Sequence, residues 1–293
     1  MNHTNDTTTT TSATPSASSS LAVIVAWGYL LSALASLIGS IALLIPIVYH
    51  KALRSRKEYI VLAGLAFADA ANMGAYVFAA LYRIALGVTG FHCALLPHNF
   101  VWGCFYMTAG LMLVTVGVDR LLVTVATLWY LSQGPRLAYI LVGVTYAHGF
   151  LFEAVALTYA AVLLHTPTLT MMCWQYRAMA MWMQEYQVNM SNYGHLGSIF
   201  VVALTLIAYW RHSKKVAEKK QGKGAQVVIP SWSTVILGGL LPAMVRVALF
   251  VPGNLNPLYN VYLFLIKQPL MRKALVNALK GKKMSVNLSD WNK

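Results

Sequence analysis

The sequence predicts an all-α membrane protein, a seven-transmembrane helix bundle with an interfacial amphipathic helix after the last span. Two observations predict this class. The chain has 293 residues, of which 58% are hydrophobic and only 10% are charged, whereas about a quarter of the residues in a soluble domain are charged. The apolar residues also occur in runs of about twenty or more, the length that a helix needs to cross a lipid bilayer.

The N-terminal residues 1–20 are rich in Thr and Ser and contain no Lys or Arg. No basic region precedes the first apolar run, and that run exceeds the apolar core of a signal peptide, about 7–15 residues. We therefore predict a disordered extracellular tail followed by an uncleaved first helix. Asn2 and Asn5 begin Asn-x-Thr sequons, which are expected glycosylation sites on such a tail.

Five predicted spans follow, separated by segments that alternate in charge. Segments 50–58 and 211–224 are strongly basic, whereas segment 85–93 contains no charged residue. Basic segments face the cytoplasm under the positive-inside rule. The N-terminus is therefore predicted outside the plasma membrane and the basic C-terminal tail inside. The spans are predicted at residues 21–49, 58–84, 95–129, 137–164 and 188–210.

Residues 226–268 must then contain an even number of further spans, because the two chain ends are predicted on opposite sides. Residues 226–244 and 245–267 are each just long enough to cross about 30 Å at about 1.5 Å per residue. Arg246 would mark the outer turn between them. Five spans plus a re-entrant segment satisfy the same parity. Seven spans are the prediction, with residues 21–268 as one transmembrane domain.

After the last span, residues 269–293 are predicted to form a cytoplasmic amphipathic helix and a basic tail. Lys and Arg flank one apolar face of this segment, as in a helix that lies at the inner membrane interface. A solvated basic tail is the alternative. The residues of the apolar face are Leu270, Met271, Ala274, Leu275 and Ala278.

The net charge of +14 does not indicate a nucleic-acid partner, since most of the Lys and Arg residues fall in the predicted cytoplasmic segments. The sequence contains no HExxH, CxxC or GxSxG motif and no phosphate-binding glycine motif, and its histidines lack metal-ligand spacing. We therefore predict neither an enzyme nor a bound cofactor.

Acidic residues lie inside three predicted spans, where an ionisable side chain costs roughly 2.5–3.5 kcal/mol. Asp69, about 15 Å deep in the second span, needs a partner on another helix or a bound cation, unless it only joins helices through hydrogen bonds. Glu153 in the fourth span faces a ligand, pairs with His148, or lies protonated against a neighbouring helix. Asp119 and Arg120 are predicted at the inner end of the third span, as an interface anchor or as a contact point between helices.

These features, in this order, resemble a rhodopsin-like (class A) G-protein-coupled receptor. Asp69 lies in an LAFAD sequence of the second span, the Asp119–Arg120 pair ends the third, and Gly39-Ser40 stands where the family has Gly-Asn. Cys93 precedes the third span, and Asn256-Pro257 resembles the start of the NPxxY motif. The stretch GVDRLLVTVATLWYLSQGPRLAY is similar to nematode chemoreceptor-type serpentine receptors of the Srsx group.

The resemblance implies an extracellular small-molecule or peptide ligand bound between the helices and a cytoplasmic heterotrimeric G protein at their inner ends. Asp119 would hold Arg120 at rest, and activation would release Arg120 to contact the sixth helix, Tyr209 of the fifth, or the G protein. The seventh-helix residues implied in the same switch are Asn256, Pro257, Tyr259 and Tyr262.

The resemblance also implies a disulfide between Cys93 and Cys173, and a polar hub that in many relatives holds sodium. The hub residues would be Asp69, Ser40 and Asn72. Residues 98–110 contain no Asp, so we do not predict an amine receptor. The candidate residues of the ligand pocket are Tyr106, Met107, Glu153 and Trp174.

The chain departs from the family pattern at several positions. Leu121 follows the Asp-Arg pair where the family has an aromatic residue, Asn260 occupies the place of the tyrosine in NPxxY, and Ala109 offers no ligand to sodium. Two alternative functions therefore stand beside the receptor. One is a small transporter or channel that uses Asp69 and Glu153, and the other is a divergent receptor that folds without signalling.

Overall fold

The computed structural model describes residues 18–86, 97–163, 180–221 and 269–282. This part of the chain consists of helices and short turns, and it contains no strand. The helices, in chain order, are α1 (Ser18–Tyr49), α2 (Lys51–Arg54), α3 (Lys57–Leu86), α4 (Pro97–Val125), α5 (Thr127–Ser132), α6 (Arg136–Leu163), α7 (Met181–Gln221) and α8 (Pro269–Leu279).

Five of the described helices are long and apolar enough to cross a membrane, which confirms the prediction of a multi-pass helical protein. The predicted sixth and seventh spans, at 226–268, lie outside the described residues. The five candidate spans are Leu30–Tyr49, Lys57–Leu81, Pro97–Val125, Arg136–Tyr159 and Met181–Arg211.

The third spanning helix is shorter than predicted, because α4 ends at Val125 instead of continuing to residue 129. Ala126 leaves the helical conformation with φ −124° and ψ 47°, and α5 begins at the next residue. Two threonine hydroxyls at this break donate to carbonyls four residues earlier, Thr124 to Arg120 at 3.0 Å and Thr127 to Val123 at 2.7 Å. Such bonds, in a run of β-branched residues, favour a bend in the helix.

The fifth candidate span, Met181–Arg211, begins seven residues before the predicted span of 188–210, and its helix α7 continues to Gln221. Its C-terminal extension contains Lys, Ala, Glu and Gln, which are all strong helix formers in water. A prediction based on apolar length alone stops where these polar residues begin. The helix therefore projects beyond the bilayer with a basic end.

Helix α4 lies at the centre of the bundle and packs against α3, α6 and α7, while α1 packs against α3. The core around α4 is built from apolar side chains of three helices. Phe105 and Met112 of α4 pack with Leu65 of α3 and Ala138 of α6. The buried side of α4 thus faces several helices at once, as its apolar composition allows.

The closest crossing in the bundle joins α4 and α7 at two glycines. A Cβ atom added to Gly194 would lie 2.5 Å from the carbonyl carbon of Gly110, and one added to Gly110 would lie 2.8 Å from the Ser191 carbonyl oxygen. Two polar side chains of α7 also donate to carbonyls of α4: Gln187 to Gly103 at 2.9 Å and Ser191 to Tyr106 at 3.5 Å. Small residues and interhelical hydrogen bonds hold membrane helices together where lipid provides no hydrophobic driving force.

Helix α8 lies in the segment predicted to form an amphipathic helix, and part of its apolar stripe contacts the bundle. Met271 and Ala274 are fully buried in a cluster with Leu43 of α1 and Leu53 of α2. The ring Nε2 of buried His50 donates a hydrogen bond to the Ala274 carbonyl at 3.0 Å. Two residues of the predicted apolar stripe, Met271 and Ala274, therefore contact protein.

Replacing Gly194 with Ala should separate α4 from α7, because the new methyl group would meet the backbone of Gly110 rather than a movable side chain. We expect the variant to lose roughly 1–3 kcal/mol of stability, as overpacked positions do. Thermal unfolding of the purified chain in detergent micelles measures this loss.

Gly143→Ala is the matched control, since a Cβ atom at this α6 position meets nothing within 4 Å. This control should be unchanged or gain up to about 1 kcal/mol from helix propensity. Equal unfolding temperatures for Gly194→Ala and the wild type would show that the two backbones do not limit the crossing.

Candidate functional site

The Asp119 side chain lies buried at the C-terminal end of α4, where the short helix α5 covers it. The bend at Ala126 places Tyr130 so that its hydroxyl donates to Asp119 Oδ1 at 2.5 Å. Tyr130 is itself buried, although its neighbours Leu128 and Leu131 are exposed. The break in the helix therefore positions the partner of the buried carboxylate.

Arg120 pairs with the second oxygen of the same carboxylate. Its Nε lies 3.5 Å from Asp119 Oδ2, and the Arg120 side chain is 48% exposed whereas that of Asp119 is 1% exposed. Within the described part of the chain, Oδ2 accepts no hydrogen bond, so this contact is an ion pair at longer range. The guanidinium group thus lies at the surface while its counter-charge lies inside.

Lys57, at the start of α3, connects a third element to this site. Its ammonium group donates to the Tyr130 carbonyl and lies 4.0 Å from the centre of the Tyr130 ring, a cation–π distance. Burial, and next the hydrogen bond to Asp119, raise the pKa of the Tyr130 phenol above its ordinary value. The phenol therefore stays protonated at neutral pH and remains a donor to the carboxylate.

We call Lys57, Asp119, Arg120 and Tyr130 the basic-end cluster. It joins α3, α4 and α5 through one buried negative charge and two positive charges. The contacts within the cluster are two hydrogen bonds, an ion pair and a cation–π contact. Arg120, the exposed member, is the group that can exchange its partner without unfolding the helix that carries it.

The residues of the predicted polar hub are all buried. Ser40 lies on α1, as does buried Ser36, and Asp69 and Asn72 lie on α3. Asn72 Oδ1 has no hydrogen-bond partner among the described residues. Hydroxyl, amide and carboxylate oxygens are the ligand types that hard cations prefer, so the sodium prediction stays open at this place.

The predicted pocket residues that the structure describes, Tyr106, Met107 and Glu153, occupy different environments. Met107 is fully buried, whereas Tyr106 is half-buried and stacks on Trp102 with 4.8 Å between the ring centroids. The buried Glu153 carboxylate of α6 fills the space that a Cβ atom of Gly103 would need on α4. Glu153 therefore reaches across to the face of α4 that carries Tyr106.

His148 provides a further polar contact in this region. Its Nε2 lies 3.2 Å from the hydroxyl of Tyr186 on α7, so a hydrogen bond joins α6 to α7. Tyr209, predicted as a partner of released Arg120, is exposed on α7. The remaining predicted site residues lie outside the described residues, namely Asn2, Asn5, Cys93, Cys173, Trp174, Asn256, Pro257, Tyr259 and Tyr262.

Sequence reasoning missed the two partners that complete the basic-end cluster, Lys57 and Tyr130. Neither carries a motif, since Lys57 is one of several basic residues at 50–58 and Tyr130 belongs to an apolar run. Sequence reasoning also missed a row of polar residues on α7, namely Gln187, Ser191 and His195. The sequence did contain a signal for this row, because the three residues recur every four positions and therefore share one face of the helix.

Comparisons with known proteins do not assign the chain to a family. No protein-family model matches it, and no curated protein matches it significantly either. The resemblance to rhodopsin-like receptors therefore stays a prediction from short motifs. The geometry of the described helices and of the basic-end cluster is therefore the basis for a functional proposal.

Replacing Tyr130 with Phe removes the hydroxyl that donates to Asp119 and leaves the rest of the ring in place. A buried acceptor that loses its donor costs about 1–3 kcal/mol, so we expect a lower unfolding temperature for the purified variant. Differential scanning fluorimetry in detergent micelles provides the measurement.

The matched control is Tyr139→Phe, the same change at an exposed tyrosine of α6. It should leave the unfolding temperature within error of the wild type. If both variants behave alike, the hydroxyl of Tyr130 does not stabilise the buried carboxylate.

Proposed function

We propose that the chain is a rhodopsin-like G-protein-coupled receptor, chemosensory or specific for another small-molecule or peptide ligand. It activates a heterotrimeric G protein through the Asp119–Arg120 region. The observation that supports this most is the basic-end cluster, in which buried Asp119 is held by Tyr130 while exposed Arg120 pairs with it. An exposed cation with a buried counter-charge at one end of a helix bundle is suited to a switch.

The switch works through competition for Arg120. At rest, Arg120 is paired with Asp119, and Tyr130 and Lys57 hold α5 over the carboxylate. A ligand that binds the activated arrangement of helices more tightly shifts the population toward it. A coupling free energy of about 1–3 kcal/mol, typical of allosteric proteins, is comparable to the cost of exchanging one such ion pair or hydrogen bond.

The ligand would bind near the opposite end of α4. Gly103 and Asp119 are sixteen residues apart in the sequence, about 24 Å along a helix. Around Gly103, three helices contribute polar or aromatic groups: Tyr106 of α4, Glu153 of α6 and Gln187 of α7. A ligand that displaces one of these contacts changes how α4, α6 and α7 pack.

The seven-span topology is part of this proposal, and the position of α8 supports it. Consecutive spans alternate in direction, so α1 and α7 end at the same face of the membrane. The hydrogen bond from His50 to Ala274 ties α8 to the end of α1. The chain therefore leaves α7 and enters α8 at the same face, and the two apolar stretches of the intervening sequence, 226–244 and 245–267, are each long enough for one crossing. The positive-inside rule places this face in the cytoplasm and the N-terminus outside the plasma membrane.

The competing function is a small transporter or channel. Asp69 and Glu153 favour it, because both are buried carboxylates within candidate spans, and such groups often line ion pathways. In a transporter or channel, ion flux should depend on both carboxylates. A receptor should show no ion flux at all.

Labelling of an introduced cysteine should place the turn at residue 246 on the outer face. Arg246→Cys, with Cys93 and Cys173 replaced by Ser, should react with a membrane-impermeant maleimide added to intact cells. Lys214→Cys in the same background is the inner control and should react only after permeabilisation. Reaction of position 246 only after permeabilisation would contradict seven spans.

Substitutions at the pair should change G-protein activation in opposite directions. Asp119→Asn removes the charge that holds Arg120 and should raise ligand-independent nucleotide exchange several-fold. Arg120→Ala should abolish exchange while an N-terminal tag still reports normal surface expression. Exchange is measured on purified heterotrimers with the chain in nanodiscs.

Arg136→Ala is the matched control, since Arg136 is an exposed arginine at the same end of the bundle. It should exchange nucleotide like the wild type. Wild-type exchange by the Arg120→Ala chain would contradict the proposed switch. Ion flux into liposomes that is lost with Asp69→Asn and Glu153→Gln would favour the transporter or channel.

A further inference from the structure

Two basic segments that are far apart in the sequence meet at one end of the bundle. The residue just before α2, His50, donates to the Ala274 carbonyl of α8 at 3.0 Å. Leu53 of α2 is buried in the same cluster as Met271 and Ala274. Helix α8 is therefore held at the end of α1, beside α2, by one hydrogen bond and a shared apolar cluster.

This arrangement concentrates positive charge on one surface, which we call the α2–α8 patch. Its members are the exposed residues Lys51, Arg54, Arg272, Lys273, Lys280 and Lys282. Within the described residues 50–58 and 269–282, Glu58 is the acidic residue, and it lies 3.8 Å from Arg56. The patch therefore has a strong positive potential, and few negative charges nearby neutralise it.

The patch also has an apolar flank, because α8 carries more apolar residues than its contact with the bundle uses. Met271 and Ala274 are buried, but Val276 is 42% exposed and Leu279 is 70% exposed. Val276 lies four residues after Arg272 and three before Leu279, so these side chains share one face of the helix. Apolar and basic residues side by side are typical of a helix that enters a lipid interface.

The position of the patch, at the end of a candidate membrane span, agrees with a location at the lipid interface. The candidate span of α1 ends at Tyr49, directly before His50. Tyr49 and Val48 are exposed, and the Tyr49 ring packs edge-on against His50 with 5.1 Å between the centroids. Tyrosines are enriched where the acyl chains meet the headgroups, so the patch begins at headgroup depth.

We propose that the α2–α8 patch binds the headgroups of anionic phospholipids. The basic residues contact the phosphate and carboxylate groups, while Val276 and Leu279 contact the upper acyl chains. Basic clusters beside a membrane span attract anionic lipids in this way. The site requires only the described helices, so it stands independently of the proposed receptor function.

A lipid explains the patch better than other anions do. A soluble phosphate would use the positive charges alone and would leave the apolar flank in water. An acidic protein would approach from the aqueous side, away from the lipid-facing Tyr49. The charges and the apolar flank together match a molecule with an anionic head and an acyl chain.

The test uses the full chain in neutral detergent micelles, titrated with phosphatidylserine or phosphatidylcholine, with bound lipid counted by native mass spectrometry. We expect the wild type to prefer phosphatidylserine. The fourfold variant Lys51→Gln, Arg54→Gln, Arg272→Gln, Lys273→Gln should bind phosphatidylserine at least about tenfold more weakly, since each basic residue near a headgroup contributes. Phosphatidylcholine binding should not change.

The matched control removes the same charge from the basic end of α7, through Lys214→Gln, Lys215→Gln, Lys219→Gln and Lys220→Gln. It should keep the phosphatidylserine preference. Equal losses in both fourfold variants would mean that only net charge matters, which overturns the proposal. Complete displacement of phosphatidylserine by inorganic phosphate would also overturn it, as would specific retention of an acidic protein in place of the lipid.

A second variant keeps the proposal testable if the fourfold variant fails to fold. Val276→Ser with Leu279→Ser changes two exposed positions and no charge. It should weaken phosphatidylserine binding several-fold and leave the binding of soluble phosphoserine unchanged. An unchanged affinity for phosphatidylserine in this variant would remove the acyl-chain contact and with it the assignment to lipid.

Discussion

The backbone contact between Gly110 and Gly194 is the constraint on which the rest of the bundle depends. Lipid chains are as apolar as the helix surfaces, so helices associate through close packing and hydrogen bonds rather than through exclusion of water. At this crossing two helices approach without intervening side chains. The short distance brings Gln187 and Ser191 within reach of α4 carbonyls, and α4 is thereby fixed as the central helix.

The position of α4 determines where the bend at its C-terminal end places α5. Because α4 cannot shift easily, the break at Ala126 sends α5 back across the same end of the bundle and places Tyr130 on Asp119. Lys57 then joins this site to the start of α3. The buried charge is therefore held by elements from three parts of the chain, and no single helix determines its environment.

The sequence predicted the parts of this structure that depend on bulk properties of a segment. Apolar length located five helices, and the amphipathic pattern located α8. Boundaries were less accurate because hydropathy does not register the threonine hydroxyls near Ala126 or the helix-forming lysines at the end of α7. The pairing of Tyr130 with Asp119 was not predicted, because it arises from a bend and from tertiary packing rather than from a motif.

The Glu153 carboxylate, lying where Gly103 would otherwise carry a side chain, limits the order in which this protein can change over time. A larger residue at 103 becomes acceptable only after position 153 has been shortened, since both would occupy one volume. That order is open, because a smaller residue at 153 leaves a space that position 103 can later fill. Related sequences should therefore contain a large residue at no more than one of these two positions.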